Sequence, residues 1–344
     1  MSDIGGKWQA ITDRHALIRF VDACLRGAGQ VMFQNNPLSG LLILIAVFVG
    51  AAHAGTWYIG LGAVVGVIVG TAAALAFDAD TASYRQGMFG FSPLLTGIAV
   101  LTFLPQTAWS WALLIVGAAV TTVVTLAFGN LLKTWGVPAL TFPFVLTSWF
   151  LLLAAFQFHR IGTGALAAPA LPEAVGGAAA HATIDAQNLS TSMLNGVSQV
   201  YLIGSWISGI IILVALAVNS RWAALFAVVG TVASTLIALA VGAEAAMIDQ
   251  GLFGFSAVLT AIALGCVYYR PSAAVAGFAL LGIVFTLIVQ AALDTMLAPL
   301  GISSLTAPFV FATWIFLFPK RNFAPTPHHE RLKDGVVDTG KNDY

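Results

Sequence analysis

Long apolar runs alternate with short polar breaks along most of this sequence. Most runs approach the length of about 20 apolar residues that a helix needs to cross a bilayer. Some are shorter, which leaves room for one element in each half that enters the membrane only partway. The pattern predicts an all-α polytopic membrane protein. The runs lie near residues 39–54, 57–77, 88–104, 107–132 and 139–156, and then near 202–218, 222–242, 251–268, 272–293 and 302–319.

The two halves of the sequence repeat one another. Three blocks recur in the same order at separations of 169, 164 and 165 residues, so one gap of five residues explains most of the difference. An ordered recurrence of this kind indicates a duplicated structural unit. Trp149 and Trp314 follow the third block at equal spacing. The matched blocks are 25–31 with 194–200, 86–92 with 250–256, and 140–144 with 305–309.

Basic residues flank the apolar runs at both ends of the chain. Such residues tend to stay in the cytoplasm, so we expect both termini there and an even number of crossings. Five spans per copy is an odd number, so the second copy must enter the membrane from the opposite side. We therefore expect two inverted-topology repeats of five transmembrane helices, with a solute site near the midplane between them. The flanking bases are Lys7, Arg14, Arg19 and Arg26 before the runs, and Lys320, Arg321, Arg331, Lys333 and Lys341 after them.

Polar segments divide the chain into regions. The stretch between the two sets of runs is rich in Gly, Ala, Pro, Asn and Ser, with Arg160 as its single strong base. That composition is typical of an irregular linker on the non-cytoplasmic side. We expect a cytoplasmic, amphipathic N-terminus at 1–24, a first membrane repeat at 25–156, a linker at 157–193, a second membrane repeat at 194–319 and a cytoplasmic tail at 320–344.

The composition excludes several classes of function. Hydrophobic residues make up 59% of the chain and charged residues 8%, too few to coat a globule in water. The 14 basic and 14 acidic residues cancel, so net charge indicates no nucleic-acid partner. The two cysteines and six histidines form no metal-ligand spacing, and no nucleophile or phosphate-loop motif occurs. We expect neither an enzyme nor a bound cofactor or metal.

The repeated blocks contain groups that suit a flat, neutral, donor-rich solute. Charged residues lie at or near the ends of the runs, which favours passive movement of a neutral molecule over ion coupling. Gln-Gly-x-Phe-Gly-Phe and Leu-Thr-x-Pro-Phe break helices, and broken backbone at membrane depth is tolerated where it is buried or lines a wet cavity. Carbonyl, Gln and Thr oxygens then pair solute N–H groups while Phe and Leu contact its faces. A kink that only aids packing is the alternative for each break.

These motifs resemble those of the urea transporter family. Gln-Val-x-Phe-x-Asn-Asn-Pro-x-Ser-Gly-Leu-Leu at 30–42 resembles the opening motif, and the two other motifs each occur twice between about Leu25 and Trp314. The resemblance implies a homotrimer with one pore per protomer between the two halves. In that family each half has five spans and a re-entrant pore helix, and urea passes downhill in single file. From the compact chain and brief tails we expect a bacterial member in the cell inner membrane.

The resemblance assigns site residues by motif. One mouth is expected to contain Gln30, Val31 and Phe33, and the other Gln199, Val200 and Leu202. An apolar slot in the middle and hydroxyls beside it complete the expected site. The slot residues are Phe91, Leu95, Phe255 and Leu259, and the hydroxyls belong to Thr141 and Thr306.

Three departures from the family pattern bear on selectivity. Leu202 stands where comparison with Phe33 leads us to expect an aromatic residue, and Gln199 is neutral where some bacterial members have Glu. Ser92 and Ser256 occupy positions where Asn is common. The alternative functions are a pore for ammonia, water or short amides, and a membrane-embedded structural or sensor protein. Two segments are candidates for the re-entrant element: the amphipathic stretch 15–34 and the Gln-Gly-x-Phe-Gly-Phe region.

Overall fold

The computed structural model describes residues 2–175 and 186–319. These residues form helices and irregular connections, and none of them lies in a strand. The predicted tail 320–344 lies outside the described residues, as do positions 176–185 of the predicted linker. The prediction of an all-α chain is confirmed over the described ranges.

The helices of the first half follow the apolar runs closely. A short helix, α5, precedes the second repeated block, and two helices precede the first apolar run. The helices are α1 (Ser2–Arg14), α2 (Ala16–Gln30), α3 (Pro37–His53), α4 (Tyr58–Ala76), α5 (Thr81–Arg85), α6 (Phe91–Phe103), α7 (Ala108–Lys133) and α8 (Phe142–Ala155).

The second half has a closely matching order. A 3₁₀ turn at Gln199–Tyr201 follows its first helix, and a second one lies at Ala298–Leu300. A π-helical turn at Ala263–Val267 continues α13. The helices are α9 (Ala186–Ser198), α10 (Trp206–Asn219), α11 (Arg221–Ala240), α12 (Ala245–Asp249), α13 (Phe255–Ile262), α14 (Ala273–Leu297) and α15 (Ala307–Leu317).

Helix length decides which elements can cross a bilayer. In the described residues four helices are long and apolar enough: α4, α7, α11 and α14 with its 3₁₀ extension. The pair α9 and α10 is bent by 71° at a short break and makes a fifth span if it is counted as one. Five further apolar helices have 10–17 residues. The chain is a multi-pass membrane protein, and five complete spans in each half stays a prediction.

Capping side chains fix where the main helices begin. The Asn36 side chain accepts hydrogen bonds from the backbone N–H of Leu38 and Ser39 at 2.8 and 3.3 Å, and Pro37 occupies the first turn of α3. Ser205 caps α10 at the matched position. Such caps satisfy backbone donors that have no partner inside the helix, so each helix starts at a defined residue.

Corresponding helix pairs pack in both halves. The pair α2–α3 corresponds to α9–α10, α4–α6 to α11–α13, and α6–α7 to α13–α14. The halves meet through α3 against α10 and α8 against α15. Across this boundary the Trp149 indole donates to the Ser303 carbonyl at 3.0 Å, and the Trp314 indole donates to the Pro138 carbonyl at 2.8 Å. The two bonds join equivalent positions of the halves in reciprocal fashion.

Glycines explain the shape of the second repeated block. Gly87 and Gly251 both have positive φ, 74° and 73°, and a Cβ on either would overlap backbone of the neighbouring helix, α2 or α9. Gly90 and Gly254 lie against the same neighbours, at Gly27 and Gly196. Only glycine combines this backbone angle with so close an approach. The block therefore packs the start of α6 or α13 tightly against α2 or α9.

Candidate solute pathway

A cavity of about 230 Å³ leads from exposed polar residues toward the buried boundary between the halves. Asp80, Asn130 and Lys133 line its exposed part, whereas Thr141 and Phe309 are 2% and 0% exposed. Five of the predicted site residues line it: Gln30, Val31, Phe33, Phe91 and Thr141. The tertiary structure thus brings together most of the predicted site residues of the first half.

The two predicted glutamines make equivalent hydrogen bonds. The Gln30 side-chain amide donates to the Gln86 carbonyl at 2.9 Å, and that of Gln199 donates to the Gln250 carbonyl at 3.1 Å. Each bond joins the first repeated block of one half to the second block of that half. The bond fixes the plane of the amide, so the side-chain oxygen, an acceptor, has a defined direction.

Unusual backbone angles occur at matched positions of the two halves, and two of these residues, Phe33 and Leu140, line the cavity. Phe33 and Leu202 have φ of 63° and 56°, and Leu140 and Leu305 have φ of 52° and 50°. Left-handed backbone costs a residue with a Cβ about 1–2 kcal/mol, and such residues cluster at functional sites. Val31 and Val200, two residues before the first pair, are buried.

The two predicted threonines meet across the boundary between the halves. Their hydroxyl oxygens are 2.7 Å apart, and both residues are 2% exposed. One hydroxyl donates its proton to the other, so the proton of the accepting hydroxyl is not used in this bond. Thr141 also lines the cavity. The pair therefore places a polar group at the buried inner part of the pathway.

The predicted apolar slot is buried at the starts of α6 and α13. Phe91 and Phe255 are the first residues of these helices, and Leu95 and Leu259 follow one turn later with no exposure. Among these four, Phe91 lines the cavity. Leu95 and the predicted residues of the second half are not among its lining residues; the latter are Gln199, Val200, Leu202, Phe255, Leu259 and Thr306.

Sequence reasoning missed three aromatic residues in the lining: Phe89, which lies in the second repeated block, and Tyr268 and Phe309. The rings of Tyr268 and Phe309 both make T-shaped contacts with the ring of Phe33, at centroid distances of 6.0 Å and 6.1 Å. Phe309 ends a repeated block, which was a usable signal. Tyr268 lies outside every repeated block, so only the folded chain reveals its place.

The inner lining is neutral. The one carboxyl group among the lining residues is Asp80, which caps α5 and accepts a hydrogen bond from the Ser83 N–H at 2.8 Å. That bond lowers the pKa of Asp80 below its ordinary value of 3.8. Within the described residues, no group of three or more histidine, cysteine or acidic side chains could hold a metal.

A buried ion pair lies outside this lining. Asp22 is 6% exposed and accepts hydrogen bonds from Arg26 Nε and Trp8 Nε1, both at 2.7 Å. Arg26 also donates to the carbonyl and side chain of Asn35, in the turn between α2 and α3. The charges are satisfied by one another and by this turn, which indicates a structural role.

Comparisons of the chain with a family model and with known proteins agree on one family. The family model described as urea transporter matches residues 21–321. Urea transporter 1 of Ovis aries is 29% identical over 312 residues, which cover 89% of this chain and 79% of the relative. Urea transporter 1 of Capra hircus and that of Rattus norvegicus are each 28% identical over the same coverage.

Proposed function

The chain belongs to the urea transporter family, and from this premise we propose how its residues conduct urea. The protein conducts urea passively and is not an enzyme. The observation behind this conclusion is the family match over residues 21–321, which includes both copies of all three repeated blocks. The neutral inner lining of the cavity agrees with passive conduction, because a neutral solute needs no charged partner.

The proposed path runs between the two halves of the protomer. Residues of both halves line the cavity, with Phe33 from the first and Tyr268 and Phe309 from the second. The hydrogen bond between Thr141 and Thr306 joins the halves at its buried inner part. Solute sites of repeat-built transporters commonly lie at such an interface. We place the narrow middle of the pore beside this pair of threonines.

Each predicted site residue then has a distinct task. The side-chain oxygens of Gln30 and Gln199 accept N–H groups of urea at the two mouths. Phe33 and Val31 contact its faces at one mouth, and Leu202 and Val200 do so at the other. The slot residues bound the planar molecule between apolar surfaces, and the threonine hydroxyls replace part of its hydration. The slot residues are Phe91, Leu95, Phe255 and Leu259.

The proposed architecture is two inverted repeats of five spans, each with a re-entrant pore helix. Its boundaries are the membrane repeats 25–156 and 194–319, the linker 157–193, and polar segments at 1–24 and 320–344. The reciprocal bonds from Trp149 and Trp314 support it, because equivalent contacts in both directions indicate a twofold axis. When each unit has an odd number of spans, the twofold axis that relates the two units lies in the membrane plane.

The proposed assembly is a homotrimer in the inner membrane of a bacterium, with both termini in the cytoplasm. The apolar outer faces of the spans support a lipid setting, since Ile45, Val116 and Leu281 are large and exposed. The mass of the detergent-purified protein, corrected for bound detergent, tests the trimer. Labelling of a cysteine introduced at residue 2 is compared in intact and permeabilised cells, with the wild-type protein as background, and tests the position of the N-terminus.

A flux measurement tests the function itself. Purified protein in proteoliposomes is mixed rapidly with urea, and vesicle swelling is followed by light scattering. We expect re-swelling well above that of empty vesicles, and no accumulation against a gradient. If folded and correctly inserted protein does not accelerate re-swelling over that of empty vesicles, the proposal is wrong.

Competing solutes separate urea conduction from the alternative pores. Water permeability is measured with an impermeant osmolyte, and ammonia entry with a pH dye inside the vesicles. We expect urea flux to exceed that of acetamide, water and ammonia. Fast water or ammonia passage without urea passage would assign the pore to another small neutral molecule.

A further inference from the structure

One mouth of the proposed path is more aromatic than the other. The Phe33 ring lies edge-on to Tyr268 at an interplanar angle of 88°, and its contact with Phe309 has an angle of 76°. By the separations of the repeated blocks, the residues matched to Phe33 and Phe309 are Leu202 and Phe144. The separation changes from 164 to 165 just before Tyr268, which matches Tyr268 to Phe103, the last residue of α6.

The change of separation identifies one extra residue in the second half. Thr96 and Thr260 are 164 residues apart, and each bonds to a threonine of the next helix, Thr121 at 3.0 Å and Thr286 at 2.9 Å. Those two partners are 165 residues apart. The caps of α7 and α14, Thr107 and Ser272, are also 165 apart. The extra residue therefore lies between Thr260 and Ser272.

The π-helical turn at Ala263–Val267 lies in this interval and accommodates the extra residue. In the first half α6 continues as a regular α-helix to Phe103. A one-residue insertion in a helix commonly forms such a turn, and these turns are frequent at functional sites. Tyr268 follows the turn directly and lines the cavity, so the insertion changes which side chain reaches the path at this helix end.

The ring of Tyr268 forms a stiff wall. Tyr268 is 2% exposed, so packing holds its ring on the remaining sides. Its partner Phe33 has left-handed backbone, and its ring contacts the rings of Tyr268 and Phe309. A wall built from such rings cannot fold aside for a wider solute as an aliphatic chain can. A methyl group that does not fit a tight apolar slot changes selectivity by about 10- to 200-fold.

We propose that Tyr268, placed by the π-helical turn, is a specificity-determining residue that restricts this mouth to unsubstituted urea and excludes N-alkylated ureas. The proposal rests on urea conduction as the proposed function. It assigns the selectivity to one side of the path, because the matched end of α6 has no π-helical turn and Leu202 replaces the aromatic ring of Phe33.

The test compares two adjacent tyrosines. Tyr268 and Tyr269 are each 2% exposed, but Tyr269 is not in the cavity lining, and its hydroxyl donates to the Phe316 carbonyl at 3.0 Å. Fluxes of urea, N-methylurea and N,N′-dimethylurea are measured in proteoliposomes for wild type, Tyr268→Leu and Tyr269→Leu. We expect the N-methylurea to urea flux ratio to rise about tenfold in Tyr268→Leu. In Tyr269→Leu the ratio stays within about twofold of wild type.

Further variants separate the ring from other properties. Tyr268→Phe keeps the ring, so its ratio stays at the wild-type value. Tyr268→Met fills a similar space with a flexible chain and raises the ratio as leucine does, which also keeps the test available if the leucine variant does not fold. An unchanged ratio in both Tyr268→Leu and Tyr268→Met, an equal change in Tyr269→Leu, or a rise in Tyr268→Phe overturns the proposal. Absence of urea flux in wild type contradicts the proposed function itself.

Discussion

The two threonines at the inner part of the proposed path are the most informative single residues. Thr141 and Thr306 come from equivalent positions, and they meet because both follow a residue with left-handed backbone, Leu140 or Leu305. That backbone angle is unfavourable for leucine, so the rest of the fold must hold it in place. In the proposed path, this polar pair in an apolar setting offers its hydroxyl groups to the solute.

Replacing both threonines by valine removes the hydroxyls while keeping side-chain shape. Each hydrogen bond lost to urea raises the barrier by about 1 kcal/mol, so we expect urea flux to fall about tenfold or more in Thr141→Val, Thr306→Val. Flux in proteoliposomes, normalised to inserted protein, is the measurement. Thr147→Val on the same helix, α8, is the control, because the Thr147 hydroxyl is buried without a hydrogen-bond partner. Equal flux in the double variant and wild type would show that the hydroxyls have no role.

Gly87 offers a residue-scale test of the packing. In Gly87→Ala the methyl group overlaps backbone of α2 at a positive φ, so we expect unfolding to be easier by about 3 kcal/mol or more. Gly55 has nearly the same φ, 73°, but open space around it, and Gly55→Ala isolates the backbone cost of about 1 kcal/mol. The midpoint of thermal unfolding in detergent is compared. Similar losses in both variants would contradict the close contact.

At the scale of elements, short breaks between helices form the two proposed mouths. The chain leaves α2 at Gln30, passes Phe33 in left-handed backbone and starts α3 at Pro37; the matched break leads from α9 through Leu202 to α10. Pro37 has no N–H to donate, and the Asn36 cap satisfies other free donors. These breaks place Gln30 and Phe33 beside the cavity rather than on the surface of a straight helix.

The cap of α3 therefore stabilises one mouth. We expect Asn36→Ala to lower stability by about 1 kcal/mol, because two backbone N–H groups lose their acceptor, and Asn36→Ser to retain most of it. Thermal unfolding in detergent measures the loss. His15→Ala is the control, since His15 precedes α2 without a capping bond. A destabilisation in His15→Ala as large as that in Asn36→Ala would contradict the assigned cap.

At the scale of the whole molecule, the charged residues that line the cavity lie at its exposed part. Asp22 and Arg26 pair with one another near the turn after α2, and Asp80 and Lys133 lie at the exposed part of the cavity. A neutral lining binds urea weakly, and weak binding allows fast release. For the same reason, we expect a change in the pH of the surrounding solution to have little effect on conduction.

Urea flux is expected to be constant between pH 5 and pH 8. The Ser83 N–H lowers the pKa of Asp80 below 3.8, so the folded protein favours the carboxylate, and this contribution is lost only when pH falls through the lowered value. Asp80 is therefore ionised throughout the tested range. Initial rates of urea-driven swelling at matched inside and outside pH are the measurement. A sigmoidal or bell-shaped profile in this range would indicate a titrating group in the path.

Several features followed from sequence because they depend on local physics. Apolar runs must become helices in lipid, since backbone polar groups have no other partners there, and each predicted run contains a helix. Matched blocks likewise identified Thr141 with Thr306 and Gln30 with Gln199 as pairs. Motif position alone could not say that the Gln amides donate to carbonyls of the second block, because that block is more than 50 residues away.

The sequence by itself determined the class of the protein, its duplication and the pairing of equivalent positions, because hydrophobicity and glycine or proline placement act through neighbouring residues. Only the tertiary structure decided which residues share the cavity. Tyr268 entered it through one extra residue in a helix, and the contact between Thr141 and Thr306 depends on packing between the halves. Such contacts join positions far apart in the chain, and their geometry is fixed by the fit of whole helices.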